Sequence, residues 1–145
     1  MRFEGQYAAM RDQVTAGAVG TPLLLSAQKS YRRGNRPRWQ QEHRTFGGTI
    51  PFIGIHLLDL LHFVTGCDYR RGTALQHNAG LPGSGTIEET ATLLLETTGG
   101  ALVDLRLDYL RPAKAPTHGD DRLRVAGSEG VIEALGGRVS LLPGD

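Results

Sequence analysis

Glycine constrains this chain more than any other residue. It supplies 20 of the 145 residues, roughly twice the usual share. The glycines follow no period and mark no repeat. Fourteen of them punctuate the chain at Gly17, Gly20, Gly47-Gly48, Gly66, Gly80, Gly83, Gly85, Gly99-Gly100, Gly127, Gly130 and Gly136-Gly137. Such spacing predicts many short elements joined by tight turns. Leu, Ile, Val and Phe together number 36, about a quarter of the chain, enough to build one core in a single domain.

The apolar residues sort these segments into helices and strands. Tyr7, Met10 and Val14, with Phe3 before them, share one helical face, so residues 6–16 read as a helix that Gly17 and Gly20 stop. Leu23 to Tyr31 reads as a strand with Leu23, Leu25, Ala27 and Lys29 on one side. Residues 32–48 lack a steady period and read as a long loop. Residues 50–65 form the strongest helix, with Thr49 as N-cap, Pro51 in the first turn and Gly66 at the C-terminal stop. That helix is apolar nearly all round, which predicts burial on most sides. Strands follow near 69–78, 86–97, 101–110, 122–126, 131–135 and 138–142, with hairpin turns at Gly99-Gly100 and Gly136-Gly137. Helices first and strands later predict an α+β fold, an antiparallel sheet packed on the buried helix. Residues 111–121, with Pro112, Pro116 and Gly119, read as a mobile loop.

Charge and cysteine exclude several functions. A formal net charge of +1 does not suit a protein that works by neutralising nucleic-acid phosphates. Cys67 is alone, so neither an intrachain disulfide nor a cysteine zinc site can form. The longest apolar stretch, Ile50 to Val64, is short for a bilayer and is interrupted by His56, Asp59 and His62. No cationic and apolar leader opens the sequence. The expectation is a soluble cytoplasmic domain without a membrane or nucleic-acid partner.

Three features could carry chemistry. His56 sits in the apolar helix with Asp59 three residues on, a spacing that shares a face and would raise the imidazole pKa. It is either a satisfied core histidine or a proton-transfer group, and Gly54 nearby allows a close backbone approach. Zinc is not expected, because spacing fixes no third ligand and His62 points to the other side of the helix. Second, Lys29, Arg32, Arg33, Arg36, Arg38 and Arg44 face only Glu42 within one segment. This is either an anion-contacting loop or a solvated loop paired to the acidic remainder. Tyr31 and Trp39 interleave with it, too few aromatics for single-stranded nucleic acid. Third, Asp104, Arg106 and Asp108 alternate with Val103, Leu105, Leu107 and Tyr109, one face charged and one for the core. Glu88-Glu89 could oppose those charges from the preceding strand. The run Gly80-Leu-Pro-Gly-Ser-Gly85 precedes a strand rather than a helix, so it reads as a turn and not a dinucleotide cradle.

Several segments in order resemble the C-terminal domain of the glucose–fructose oxidoreductase, inositol dehydrogenase and rhizopine catabolism (Gfo/Idh/MocA) family. Arg2-Phe3 with "AGAVGTPLLLSAQ" resembles its helix leading into a strand. Trp39 followed by "FGGTIPFIGIHLLDLLHFVTG" resembles its glycine run and Gly-x-His-x-x-Asp helix. "DDRLRVAGSEGVIEA" resembles its Val-x-Gly-x-x-Gly-x-x-Glu hairpin. The resemblance covers nearly all of residues 1–145 and implies a single substrate-binding and oligomerisation domain. The implied fold is an open, mainly antiparallel sheet with helices on one face, like the C-terminal domain of dihydrodipicolinate reductase. It implies oxidation of a sugar, polyol or related hydroxyl compound with NAD or NADP. That cofactor would be bound mainly by an N-terminal Rossmann domain that lies outside this sequence, with none expected on this chain alone. It implies a homo-oligomer, dimer or tetramer, through the outer sheet face. His56 matches the family histidine beside the reacting hydroxyl, with Asp59, Tyr31, Arg33 and Trp39 as further lining residues. Position 52, where the family carries a carboxylate, is phenylalanine here, and Phe46 replaces the first glycine of the run.

Overall fold

The computed structural model describes residues 1–144. Helix α1 spans Gly5–Thr15, strand β1 Pro22–Tyr31, the one-turn helix α2 His43–Phe46 and helix α3 Ile55–Thr65. Six strands follow: β2 Tyr69–His77, β3 Thr90–Thr97, β4 Leu102–Asp108, β5 Gly119–Gly127, β6 Gly130–Leu135 and β7 Arg138–Pro143. They form one seven-stranded sheet in the order β2-β3-β4-β1-β5-β6-β7. Every pairing is antiparallel except β1 with β4. The open, mainly antiparallel α+β architecture agrees with the expectation; the parallel pair at its centre was not visible in the pattern.

Both longer helices cover one face of the sheet. Leu57, Leu60, Leu61 and Val64 of α3, with Tyr7 and Met10 of α1, pack on Leu25, Val103, Leu105, Leu107, Leu123, Val125 and Ile132. The alternation through β4 sends Val103, Leu105 and Leu107 inward as expected. Phe3 does not join that core. It precedes α1 and stands 98% exposed. The two hairpin turns form where glycine required them, with Gly136 and Gly137 both at positive φ between β6 and β7.

Other boundaries shift for identifiable reasons. The loop 32–48 contains a 3₁₀ turn at Arg38–Gln40 as well as α2. Thr49 is not an N-cap: its backbone is already helical and its hydroxyl donates to the Glu88 carbonyl. The chain enters α3 through a π turn, Ile50–Gly54. There Gly54 lies against β4, where a Cβ would come within 3.1 Å of Leu107 Cδ1. The close approach that Gly54 permits is therefore to the protein's own sheet. β5 begins at Gly119, so the preceding loop is shorter than expected. β3 begins at Thr90, which leaves Glu88 and Glu89 outside the strand and away from Asp104.

Two glycines are sterically required by close backbone contact, Gly127 by that alone and Gly85 together with its positive φ. A Cβ on Gly127 would fall 2.1 Å from the Val19 carbonyl oxygen, and one on Gly85 2.2 Å from that of Gln41. Val19 and Thr21 are also tied to residues 128 and 129 by backbone hydrogen bonds of 3.0 Å, so they cannot retreat. Gly127→Ala is expected to cost about 3 kcal/mol, read as a lower urea midpoint. A midpoint equal to that of the parent chain would show that this backbone crossing is loose.

The outer face of the sheet is a registered grid. Leu102, Leu24, Ala126, Val131 and Leu142 stand side by side across five strands. In the next row Asp104 accepts a hydrogen bond from Ser26, and Arg124 pairs with Glu133 at 2.9 Å. Leu24, Leu102 and Leu142 remain exposed.

Candidate functional site

The α3 segment is not buried on most sides. Phe52, Ile55 and His56 are exposed and Asp59 is half-exposed, at spacings that form one stripe along the helix. The opposite residues Ile53, Leu57, Leu60, Leu61 and Val64 are buried. A helix this apolar leaves a stripe uncovered only where something beyond the fold is to meet it.

Asp59 does not orient His56. It is held in a two-pronged ion pair by Arg2, whose Nε donates to Oδ2 at 2.7 Å and whose Nη2 donates to Oδ1. The Arg2 hydrogen bond holds the Asp59 pKa below its usual value. Arg2 thereby ties the segment before α1 to the helix that carries His56. His62 also points elsewhere, with Nδ1 2.8 Å from the Cys67 carbonyl oxygen.

The charges from other elements that act on His56 come chiefly from the sheet. Lys29 on β1 and Asp121 on β5 stand opposite each other in register and pair at 2.7 Å. Burial first, and then the Lys29 charge, push the His56 pKa below the ordinary imidazole value, although Asp121 and Asp59 oppose them. The net direction is thus downward, against the rise expected from Asp59. Its proton titration, followed by NMR, is expected to lie below about 6.5 and to rise in Lys29→Gln. An unchanged midpoint in that variant would remove Lys29 from the site. Asp121 Oδ1 is buried without a hydrogen-bond partner, which leaves an acceptor beside the lysine. Neither residue was singled out by spacing, because register across β1 and β5 creates the pair.

The remaining expected residues divide. Tyr31 lies at the site: its ring is 6.0 Å from Lys29 Nζ and packs edge-on against Tyr109 at 5.1 Å. Burial raises the Tyr31 pKa, and the nearby Tyr109 hydroxyl adds to the effect. Trp39 is 54% exposed and packs on Phe46, which stacks on Phe52 at 4.6 Å. Arg33 lines a small cavity together with Arg36, and it is anchored there. Its guanidinium donates to Ser84 Oγ and the Pro82 carbonyl, fastening the loop before β3. Arg32 does the same for the carbonyls of Pro112 and Ala115. Much of the basic segment is therefore spent on backbone oxygens, and Arg38 pairs with Glu42 at 3.2 Å.

The backbone before and within the glycine run 80–85 is engaged by its own neighbours. Glu89, fully buried, accepts from Ala79 N at 2.6 Å and Leu81 N at 3.0 Å, and Gly80 N donates to Asn78 Oδ1 at 2.8 Å. No cluster of three or more metal-ligating side chains occurs among the described residues.

Comparison with known proteins agrees with this architecture. The family model for the GFO/IDH/MocA C-terminal domain matches residues 7–133. A Thermotoga maritima protein, solved under the provisional name of oxidoreductase, is 37% identical over 98% of this chain, with a TM-score of 0.95. An inositol dehydrogenase homolog from Azotobacter vinelandii, complexed with NAD+, shares 18% identity over 94% of the chain at a TM-score of 0.73. Levoglucosan dehydrogenase, in complex with NADH and levoglucosan, shares 16% identity over 97% at 0.81. The chain spans 43%, 40% and 40% of those three proteins. Among curated proteins none matches. The matched model covers most of the sequence, and the chain belongs to the GFO/IDH/MocA C-terminal domain family.

Proposed function

We propose that this domain is the substrate-binding and oligomerisation half of a cytoplasmic NAD(P)-dependent oxidoreductase acting on a sugar, polyol or related hydroxyl compound. The observation that carries this reading is the uncovered α3 stripe with His56 on it, over the sheet face that holds the Lys29–Asp121 pair. A neutral imidazole can accept the proton of a substrate hydroxyl, and Lys29 nearby disfavours a resting imidazolium. Tyr31 and Phe52 offer walls for a ring-shaped substrate, and Arg2 fixes Asp59 one turn beyond His56. The nicotinamide, held by a separate Rossmann domain, would supply the hydride acceptor. The apolar row of the outer sheet supports assembly of like subunits.

One observation favours a second reading. Phe52 cannot accept a proton or bind a hydroxyl, which suits a sugar-binding or dimerisation module without catalysis. The gene product in source cells, detected with an antibody to this domain, separates the two. A band well above 15.7 kDa whose purified protein reduces NAD or NADP with a polyol is the expected result. A band at this chain's own mass, with no nicotinamide turnover, would favour the binding module.

A further inference from the structure

Arg36 is the cation of the basic segment with the most capacity to spare beside the α3 stripe. Its guanidinium carbon lies 4.7 Å from the Tyr109 ring centre, 5.4 Å from Phe52, 5.8 Å from Tyr31 and 5.9 Å from Phe46. It uses only two hydrogen bonds, both long: Nε to the Arg33 carbonyl at 3.2 Å and Nη2 to the Tyr31 hydroxyl at 3.3 Å. Among the described residues no carboxylate forms an ion pair with it. A guanidinium has five N–H donors, and stacking on aromatic rings leaves its edge free for a planar, two-oxygen acceptor.

The surroundings point to an anion rather than to packing alone. A cavity of about 10 Å³ lies between Arg33, Arg36, Gln41, Phe46, Ser84 and Tyr109, room for one oxygen of a ligand. Tyr109 is 5% exposed, and its buried hydroxyl has no hydrogen-bond partner. An oxygen in that cavity would satisfy the hydroxyl and the guanidinium together. A carboxylate at position 52 would neutralise Arg36 from within the chain, but Phe52 leaves that charge for a ligand. Arg36 also lies next to the His56 neighbourhood. Tyr31 lies within reach of both Lys29 and Arg36, and Phe52 precedes His56 on the exposed stripe.

We propose that Arg36, in its cage of Tyr31, Phe46, Phe52 and Tyr109, binds the carboxylate of a hydroxylated substrate whose reacting hydroxyl lies toward His56. The substrate class is a polyhydroxy acid, such as a sugar acid, rather than a neutral sugar. This rests on the reading of the His56 stripe as the substrate wall.

The test titrates the 145-residue chain with sodium D-glucuronate, D-glucose and inorganic phosphate, following backbone and His56 resonances by NMR. Glucuronate is expected to shift the resonances of Tyr31, Phe52, Tyr109 and His56 and to bind about tenfold more tightly than glucose, the scale of one charge-assisted hydrogen bond. Arg36→Lys, which keeps the charge but loses the planar fork, is expected to remove that advantage. Phe52→Glu, which sets a carboxylate beside Arg36, is expected to do the same without touching the arginine. Unchanged far-ultraviolet circular dichroism shows that each variant has folded. Equal affinity for glucose and glucuronate would overturn the carboxylate site while leaving the sugar-binding role. Arg36-dependent shifts that spare His56 would uphold the anion site and count against the His56 wall. Phosphate bound as tightly as glucuronate would overturn the choice of a carboxylate, and no binding by any probe would overturn both readings.

Discussion

In the oxidoreductase proposed above, His56→Ala is expected to lower kcat by about 10²–10⁴-fold, the usual contribution of a positioned proton acceptor. The residue is exposed on α3, so the variant folds and the loss is chemical. His56→Gln retains a hydrogen-bonding amide but cannot accept the proton, and it falls in the same range. The limb of the pH–rate profile that belongs to His56 is expected below the ordinary imidazole value, because partial desolvation of the ring and then Lys29 disfavour its charged form. Activity therefore rises as pH increases through that lowered value, and the limb disappears in both variants. Unaltered turnover in His56→Ala would remove the proposed role outright.

A stability effect as large as that of Gly127→Ala is expected at Glu89. This carboxylate is fully buried and accepts hydrogen bonds from Ala79 N and Leu81 N. Burial raises its pKa, but the Ser84 hydroxyl and the two backbone N–H groups more than offset that, and the net shift is downward. Glu89→Ala strands two backbone donors and is expected to cost about 3 kcal/mol. The pH dependence has a definite sign. A carboxylate whose folded pKa is depressed stabilises the fold above its unfolded value, near 4.5, and that contribution is lost as pH falls through the lower folded value. Parent and Glu89→Gln melting temperatures should thus converge under acid conditions and separate toward neutrality. A gap between them that is constant from acid to neutral pH would show that Glu89 is not ionised in the fold.

Local signals in the sequence were legible where the interaction is local. The spacing of Tyr7, Met10 and Val14, the stop at Gly66, the Gly136-Gly137 turn and the alternation through Leu105 each depend on neighbours within a few residues. His56 stood out because a titratable group is costly on an otherwise apolar helix. What remained hidden depends on register between distant segments. Arg2 meets Asp59 from 57 positions away, and Lys29 meets Asp121 from 92. Both ends of the Arg33 fork are bonded to the loop before β3, whereas Arg36, three residues on, makes only two long hydrogen bonds. Composition cannot distinguish those two arginines, because the difference lies in which carbonyls the fold brings near.

The placement of β1 has a consequence for how the chain is made. β1 lies between β4 and β5, and its pairings join Leu24 to Leu102 and to Ala126. On a ribosome adding about 5–20 residues per second, β1 emerges several seconds before either partner. During that interval its Leu23-Leu24-Leu25 run and both of its hydrogen-bonding edges are unmatched, so the nascent chain carries a sticky strand that only later synthesis can cover. The early helix α1 and the chain's abundant glycine cannot shorten that delay. Chaperone demand during translation, rather than the stability of the finished sheet, is what this strand order governs.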